Sequence, residues 1–498
     1  MSFTFSGARL LDGRVVDVTV TDTRITAVTP AGELRASGEH IELDGHVLVP
    51  GLWDQHTHFT QWALSSRRVR LDSAASADEA ARLLGEHAAR HPDGDVIGVG
   101  FRDALWADRP HFALLDDAVD GTIGEAGSGA SAAGPERRVV ALSADLHTVW
   151  LNSAALKAHG FHDHPSGVLR EADAFAVEAA LDEVSDATAD EWAHDAALAA
   201  AARGVVGIVD FEMALTPELW LRRFASGFDE LQVDAGFYPE HLDAAIAAGW
   251  STGQTLDDSG RLRVGPLKVI TDGSLGTRTA AMFAPYDGVV GDEPRGRLTV
   301  PPSDLVALLR TARRMGLSAA VHAIGDAANS HALDAFAATG ARGSIEHAQL
   351  LRREDFPRFA ALGVTASVQP RHAIDDQDIV ARYWGDRAGR AYAFRSLLDA
   401  GARLAFGSDA PVAPLDPWQA ISAAVFRQAD DAPPWHAEQA ISLGQAVRAS
   451  VRSSILPGQP ADLAVLASDP RDADAGALRA QPVAATVLAG RFTYDAIR

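Results

Sequence analysis

Apolar and polar positions follow two different patterns along this chain, one at its ends and one in its middle. Near the amino terminus, residues 16–20 alternate apolar with polar side chains, which is typical of a strand with one buried face. Short β-rich runs return near the carboxyl terminus at residues 461–466 and 492–494. We therefore predict a small β-sandwich domain built from both ends of the chain, residues 1–50 with residues 455–498.

The middle of the chain alternates short apolar runs with Ala-rich helical stretches, which predicts repeated βα units and a parallel sheet. Eight runs qualify as strands, and eight βα units favour a closed α/β barrel, a (β/α)8 TIM barrel over residues 51–454. The predicted strands are residues 52–58, 205–211, 231–237, 264–271, 317–323, 343–348, 364–369 and 403–408. The gap after the first strand, about 145 residues, is too long for a simple connection and predicts an inserted subdomain at about residues 60–200.

Composition and charge narrow the function classes. The chain has 498 residues and no cysteine, which excludes disulfides, thiolate metal sites and cysteine nucleophiles. The formal net charge of −23 argues against a nucleic-acid partner. No secretion signal is visible at the amino terminus, and the most apolar helical stretch, residues 196–209, is too short to span a bilayer. We expect a cytoplasmic protein with no membrane partner.

Side chains that can bind a metal stand at the carboxyl ends of five predicted barrel strands, where barrel active sites lie. His56 and His58 are two residues apart on the first strand, so both rings point to the same face. Lys268 lies inside an apolar strand, where a lone ammonium is costly, and it must be paired, neutral or chemically altered. Three more candidates end later strands: His322, His347 and Asp409.

The sequence around these positions resembles the amidohydrolase superfamily, and within it the YtcJ-like branch (amidohydrolase family 3) that includes N-substituted formamide deformylases. The resemblance covers nearly the whole chain. The segments that carry it are Asp54-Gln55-His56-Thr57-His58, residues 145–153, residues 268–280, residues 321–326, Glu346-His347-Ala348, Gly407-Ser408-Asp409-Ala410-Pro411 and residues 457–463.

This resemblance implies a centre with two divalent metal ions. His56, His58 and Asp409 would hold one ion, His322 and His347 the other, and Lys268 would bridge them after N-carboxylation. Imidazole and carboxylate ligands suit zinc. The implied reaction is attack of a metal-activated hydroxide on a small-molecule amide, formamide or cyclic amide, which breaks a non-peptide C–N bond. Asp409 would be the catalytic general base and then general acid. A homodimer is also expected from the resemblance.

Other residues are candidates for substrate contacts, and two other functions stay open. The substrate-binding candidates are His147 in the insertion, Asp272 and Arg278 after the fourth strand, and His372 after the seventh. One alternative is a deaminase with a single metal and an unmodified lysine, because the first-strand histidines, a later histidine and an aspartate can serve one ion. The other is a non-catalytic binding scaffold, against which the complete set of six candidate ligands argues.

Overall fold

The computed structural model describes residues 2–33, 38–91, 94–123, 137–181, 184–430 and 432–498. The chain divides into two units, Met1–Phe59 with Ala193–Arg498, and Thr60–Trp192. The first unit contains two sheets and the second contains one. None of the helices in the described ranges is long and apolar enough to cross a membrane.

Eight parallel strands form the central sheet of the first unit, and each pairs with the strand that follows it in sequence. In order they are Leu52–Thr57, Val205–Asp210, Gln232–Phe237, Leu262–Ile270, Ala319–Ala323, Gly343–His347, Thr365–Val368 and Arg403–Phe406. The sheet closes on itself because the His58 N–H donates to the Ala410 carbonyl and the Asp409 N–H donates to the His56 carbonyl, both at 2.8 Å. The predicted α/β barrel is confirmed, and every strand begins and ends within two residues of its prediction.

Helices alternate with the barrel strands along the chain, and some of them bury a single face. In Pro302–Arg314, for example, Leu305, Leu309 and Ala312 are buried at the spacing of successive helical turns, while the opposite face is polar. The α-helices of this unit are Thr216–Ala225, Leu242–Ala247, Pro302–Arg314, Asp326–Thr339, Phe356–Leu362, Pro370–Asp375, Gln377–Trp384, Phe394–Asp399, Pro417–Phe426, Leu443–Ala449 and Ala475–Arg479. Phe59–Ser65 and Asp186–Ala201 span the residue boundaries between the two units.

The second sheet of this unit joins the two ends of the chain. Its eight strands are Ser2–Arg9, Val15–Thr21, Arg24–Pro30, Glu39–Glu42, Val47–Pro50, Leu463–Leu466, Val483–Leu488 and Arg491–Asp495. Val47–Pro50 pairs antiparallel with Leu463–Leu466, so the amino-terminal and carboxyl-terminal strands form one continuous sheet. The rings of Phe5 and Phe492 meet edge to face at 6.1 Å in its core. Because both ends contribute to one core, neither set of strands can bury its apolar face alone.

The second unit is a mixed sheet with apolar residues buried on both faces. Its strands are Val69–Arg70, Val96–Phe101, Val139–Ser143, Thr148–Leu151 and Val168–Arg170, and the helices wholly within it are Ala77–Arg90, Phe112–Ile123, Ser153–Ala158 and Ala172–Leu181. Val139 and Ala141 belong to one hydrophobic cluster and Val140 and Leu142 to another. Alternate residues of a strand point to opposite faces, so both faces of this sheet are covered.

Candidate metal centre

The ends of the first, fourth and eighth barrel strands bring four of the predicted ligands together around His56. Its Nε2 lies 2.9 Å from Lys268 Nζ and 3.2 Å from Asp409 Oδ1. The same carboxylate oxygen lies 3.4 Å from His58 Nε2. The four residues come from positions up to 353 apart in sequence, and only closure of the barrel makes them neighbours.

The fifth and sixth strands add the other two histidines. The Nδ1 atom of His347 lies 3.9 Å from Asp409 Oδ2, and its ring is 5.0 Å from that of His56. Potential ligand atoms of His56, His347 and Asp409 all lie within 4.8 Å of one another. The ring of His322 packs against His347 at 4.5 Å, but its Nε2 faces Asp272 Oδ1 at 3.4 Å. Among the four predicted histidine ligands, His322 is the one whose carboxylate contact in the described chain is with Asp272 and not with Asp409.

A carboxylate that was not predicted as a site residue fixes the orientation of His56. Glu346 Oε2 accepts a hydrogen bond from His56 Nδ1 at 2.8 Å, and both side chains are fully buried. Burial, and secondarily the charge of Lys268, lowers the pKa of His56 to about 4, so this imidazole is neutral at neutral pH. A neutral ring that carries its proton on Nδ1 has its lone pair on Nε2, which can accept from the Lys268 amine at 2.9 Å or bind a metal cation.

Lys268 occupies an apolar position that lowers the basicity of its amine. Its Nζ lies 4.4 Å from the centre of the Phe211 ring, and the side chain is buried. Burial lowers the pKa of Lys268 to about 8, against the opposing charges of Glu346 and Asp409. A lysine in this apolar position is expected to be paired, neutral or chemically altered, and a pKa near 8 leaves part of the amine neutral near neutral pH.

Asp409 remains ionised although it is buried. Burial by itself raises a carboxyl pKa, but His56 and the hydrogen bond with His58 hold the pKa of Asp409 well below its usual value. Its backbone has a left-handed φ of 59°, and that of His347 is 72°. Such values are uncommon for non-glycine residues and occur preferentially where function fixes the backbone.

The first and eighth strands approach each other very closely beside these ligands. Asp54 accepts backbone hydrogen bonds from Ser408 at 2.9 Å and from His56 at 3.1 Å, and burial raises its pKa to about 7. A Cβ added at Gly407 would lie only 2.7 Å from His56 Cβ. Only glycine at this position lets His56 sit beside the eighth strand.

The donor set fits a divalent cation. The lone pair of His56 Nε2 and an oxygen of Asp409 face each other at 3.2 Å, and two hydrogen-bond acceptors this close are stabilised by a cation between them. The Nδ1 atoms of His58 and His347 are buried and have no hydrogen-bond partner in the described part of the chain. Neutral imidazole and carboxylate are ligands of zinc and of several other divalent metals.

Asp272 and Arg278, the two predicted substrate contacts after the fourth barrel strand, differ in their burial and in their contacts. Asp272 is fully buried and accepts the backbone N–H groups of Ala281, Ile324 and Gly325, so its carboxylate holds two loops together beside His322. Arg278 is half-buried, and its guanidinium lies 5.4 Å from the Tyr383 ring.

The two histidines among the predicted substrate contacts lie in different units. His372 is buried, and its ring lies parallel to that of His347 at 6.4 Å. His147, in the second unit, lies 3.1 Å from Glu171 through its Nδ1 atom. The substrate-binding roles of these two residues, and of Asp272 and Arg278, remain predictions.

Comparison with known proteins identifies the family. A sequence profile of the amidohydrolase family matches residues 39–494. The chain belongs to the amidohydrolase family. It is 26% identical to the putative amidohydrolase YtcJ of Bacillus subtilis, over 92% of this chain and 90% of that protein. It is also 26% identical to an N-substituted formamide deformylase of Arthrobacter pascens, over 96% of this chain and 94% of that enzyme.

A solved structure with the same fold gives further support. An uncharacterized metal-dependent hydrolase of Pyrococcus horikoshii superposes with a TM-score of 0.75 at 25% identity, covering 96% of this chain and 99% of the other. The resemblance to YtcJ-like proteins predicted from the sequence motifs is confirmed. This member of the amidohydrolase family is a hydrolase, and its His56, His347 and Asp409 side chains form a cluster that can hold a metal.

Proposed function

We propose that this hydrolase cleaves a non-peptide C–N bond in an amide, a formamide or a cyclic amide, with two divalent ions, zinc by preference. His56, His58 and Asp409 would hold one ion, and His322 and His347 the other. The observation that carries the proposal is the convergence of three buried donors, His56, His347 and Asp409, with the Lys268 amine 2.9 Å from His56 Nε2.

The lowered pKa of Lys268 supports the proposal that this lysine is carboxylated. Carbon dioxide adds to a neutral amine and forms an N-carboxylate with release of one proton. A pKa of about 8 leaves a substantial fraction of this amine neutral near pH 7.5, whereas a lysine in water is almost wholly charged. The change would replace a buried cation by an anion that can bridge two ions.

Asp409 is suited to move a proton during the reaction. Bound divalent ions would polarise the substrate carbonyl and acidify a water molecule. Asp409 is ionised before the reaction because its pKa is held low, so an oxygen of its carboxylate can accept the proton of the attacking water. A carboxylic acid with a low pKa gives its proton up readily, which favours delivery to the departing nitrogen.

The similarity to an N-substituted formamide deformylase supports formamides as the first substrates to test. We further propose that the protein acts on a small molecule in the cytoplasm, as a homodimer, without a nucleic-acid or membrane partner. The net charge of −23 supports the exclusion of nucleic acids because like charges repel.

One observation favours a second candidate, a deaminase with a single ion. His322 Nε2 faces Asp272, and the ligand atoms that all lie within 4.8 Å of one another are those of a single cluster, His56, His347 and Asp409. In that function Lys268 would keep its amine.

The two candidates are separated by metal content and lysine state. The chain has only two lysines, Lys268 and the exposed Lys157, so Lys157→Ala is a matched control for Lys268→Ala. Protein purified without chelators would be analysed for metal per chain and equilibrated with 13C-labelled carbon dioxide for NMR. Two ions and one carbamate signal, both lost in Lys268→Ala and kept in Lys157→Ala, would support the binuclear hydrolase.

Other outcomes of the metal and carbamate measurements favour the second candidate or refute both. One ion that is insensitive to Lys268→Ala, with no carbamate signal, would favour the deaminase. No ion after reconstitution with zinc or manganese would refute both candidates. Where metal is bound, the reaction would be assigned by comparing hydrolysis of N-monosubstituted formamides and acetamides with deamination of aminopyrimidines.

A further inference from the structure

One buried polar side chain at the mouth of the barrel has no role in the proposed centre. Gln369 follows the seventh strand, Thr365–Val368, and is 1% exposed. Neither its Nε2 nor its Oε1 has a hydrogen-bond partner among the residues that the structure describes. Most buried side-chain amides are paired, and an unpaired one loses the hydrogen bonds it makes with water and gains nothing in return.

The register of the sheet places Gln369 on the inner face of the barrel. Ser367 is the strand partner of Glu346, and the Glu346 carboxylate points inwards to His56. Partners on adjacent parallel strands point to the same face, and so do residues two apart on one strand. Gln369 has extended backbone, with φ −115° and ψ 90°, so its side chain follows Ser367 one step nearer the end where the histidines gather.

A second unpaired group lies next to Gln369. His372 is 6% exposed, and its Nε2 is also buried without a partner in the described chain. Its backbone N–H donates to the Gln369 carbonyl at 3.1 Å, and its ring lies parallel to that of His347. Gln369 and His372 are thus two buried side chains, three residues apart, with polar atoms that are unpaired in the described chain, and the His372 ring lies beside the sixth-strand histidine.

The hydrogen-bonding groups of Gln369 and His372 complement an amide that carries a hydrogen on nitrogen. A carboxamide offers two donors and a strong acceptor, and a neutral histidine offers one donor or one acceptor. Metal ions held by the ligand residues would pair with the carbonyl oxygen of an amide, but the N–H of the same amide needs an acceptor. Gln369 Oε1 is a buried acceptor on the inner face with no competing donor among the described residues.

We propose that Gln369 is a specificity-determining residue whose Oε1 accepts the substrate N–H, so that secondary and cyclic amides are substrates and tertiary amides are excluded. The inference rests on the proposed hydrolysis of C–N bonds and names the substrate class within it. An amide with an N–H gives Oε1 the partner that it lacks in the free protein, whereas an amide without N–H gives it none. A site built to hydrogen-bond a substrate N–H rejects analogues that lack it.

The test compares Gln369→Met with Gln439→Met in the metal-loaded enzyme. Methionine keeps the length of glutamine and removes its strong hydrogen-bonding groups. Gln439 is a matched control because it is also buried, 6% exposed, but its amide is paired with the backbone and hydroxyl of Ser396. The probes are N-cyclohexylformamide and N-cyclohexylacetamide, each with its N-methyl derivative, and the readouts are kcat/KM and Tm.

The parent enzyme is expected to prefer each N–H amide over its N-methyl derivative by at least tenfold. Gln369→Met should reduce this ratio towards one while its Tm stays unchanged or rises, because an unpaired polar group is removed. Gln439→Met should lower Tm and keep the ratio. An unchanged ratio with a lowered Tm in Gln369→Met would overturn the inference alone, since a fixed water would then satisfy this amide. A metal-loaded parent that hydrolyses none of the probes would refute the proposed amide hydrolysis together with it.

Discussion

Replacement of Glu346 by leucine should weaken metal binding more than it weakens the fold. The change leaves the buried Nδ1–H of His56 without an acceptor and frees the ring to turn its Nε2 away from Asp409. Hydrogen bonds to a charged partner are worth about 1.5–3 kcal/mol. Loss of a carboxylate that orients a metal-binding histidine costs roughly 10- to 100-fold in affinity, or about 1.4–2.7 kcal/mol. The two ranges agree, so we expect zinc affinity to fall by this factor.

Two further variants make this prediction specific. Glu346→Gln keeps an acceptor for His56 and should stay within about threefold of the parent. Asp355→Leu is the control for stability, because Asp355 is equally buried and pairs with Ser330 and Arg358 away from the ligands. The assay is titration of metal-free protein with zinc in competition with a fluorescent chelator, with Tm measured alongside. Zinc affinity within twofold of the parent in Glu346→Leu, with a Tm loss like that of Asp355→Leu, would refute the role assigned to Glu346.

Three more changes test the site. In metal-free protein, Lys268→Met should raise Tm at pH 7 because a buried ammonium is removed. The pKa of Lys268 is lower in the folded than in the unfolded protein, so the stability of the parent rises with pH above about 8 and the Tm difference should shrink by pH 10. A Tm difference that does not change with pH would contradict this prediction. Gly407→Ala should cost about 1–3 kcal/mol in denaturant unfolding and also lower zinc affinity, because its Cβ meets His56, whereas Gly444→Ala meets nothing and should be neutral or stabilising. Asp409→Asn, reconstituted to full metal content, should lower kcat by roughly 10²–10⁴-fold, and a smaller loss would remove the proton-transfer role.

The barrel could be predicted because its strands are short apolar runs separated by helical patterns of fixed period. The differences lie at strand ends, where local sequence has the least control. The seventh strand, for example, ends at Val368 because Pro370 begins the next helix and cannot continue a ladder of hydrogen bonds. The fourth strand starts two residues before its prediction, at Leu262, where Arg263 interrupts the apolar pattern.

The candidate ligands could be predicted from their positions at strand ends, but the groups that orient them could not. Glu346 lies next to His347 in sequence, yet its partner is His56, 290 residues away, and the contact exists only because the barrel closes. The turn of His322 towards Asp272 depends in the same way on a loop conformation that no periodic pattern encodes. The signal that was available is the alternation of Ser344 and Glu346 on the inner face, where a carboxylate must find a partner.

Three buried polar side chains at the two ends of the barrel differ in their hydrogen bonding. At the start of the third strand, Gln232 is buried but its amide is paired with Asp462 and Arg263, as a structural group should be. At the opposite end, His347 combines left-handed backbone with a ring nitrogen that has no hydrogen-bond partner among the described residues, and the side-chain amide of Gln369 has none there either. Both features reduce the stability of the free protein, and a sequence selected only for folding would replace them with apolar residues. In the two proposals, bound ligands account for these features, a cation for His347 and a substrate amide for Gln369.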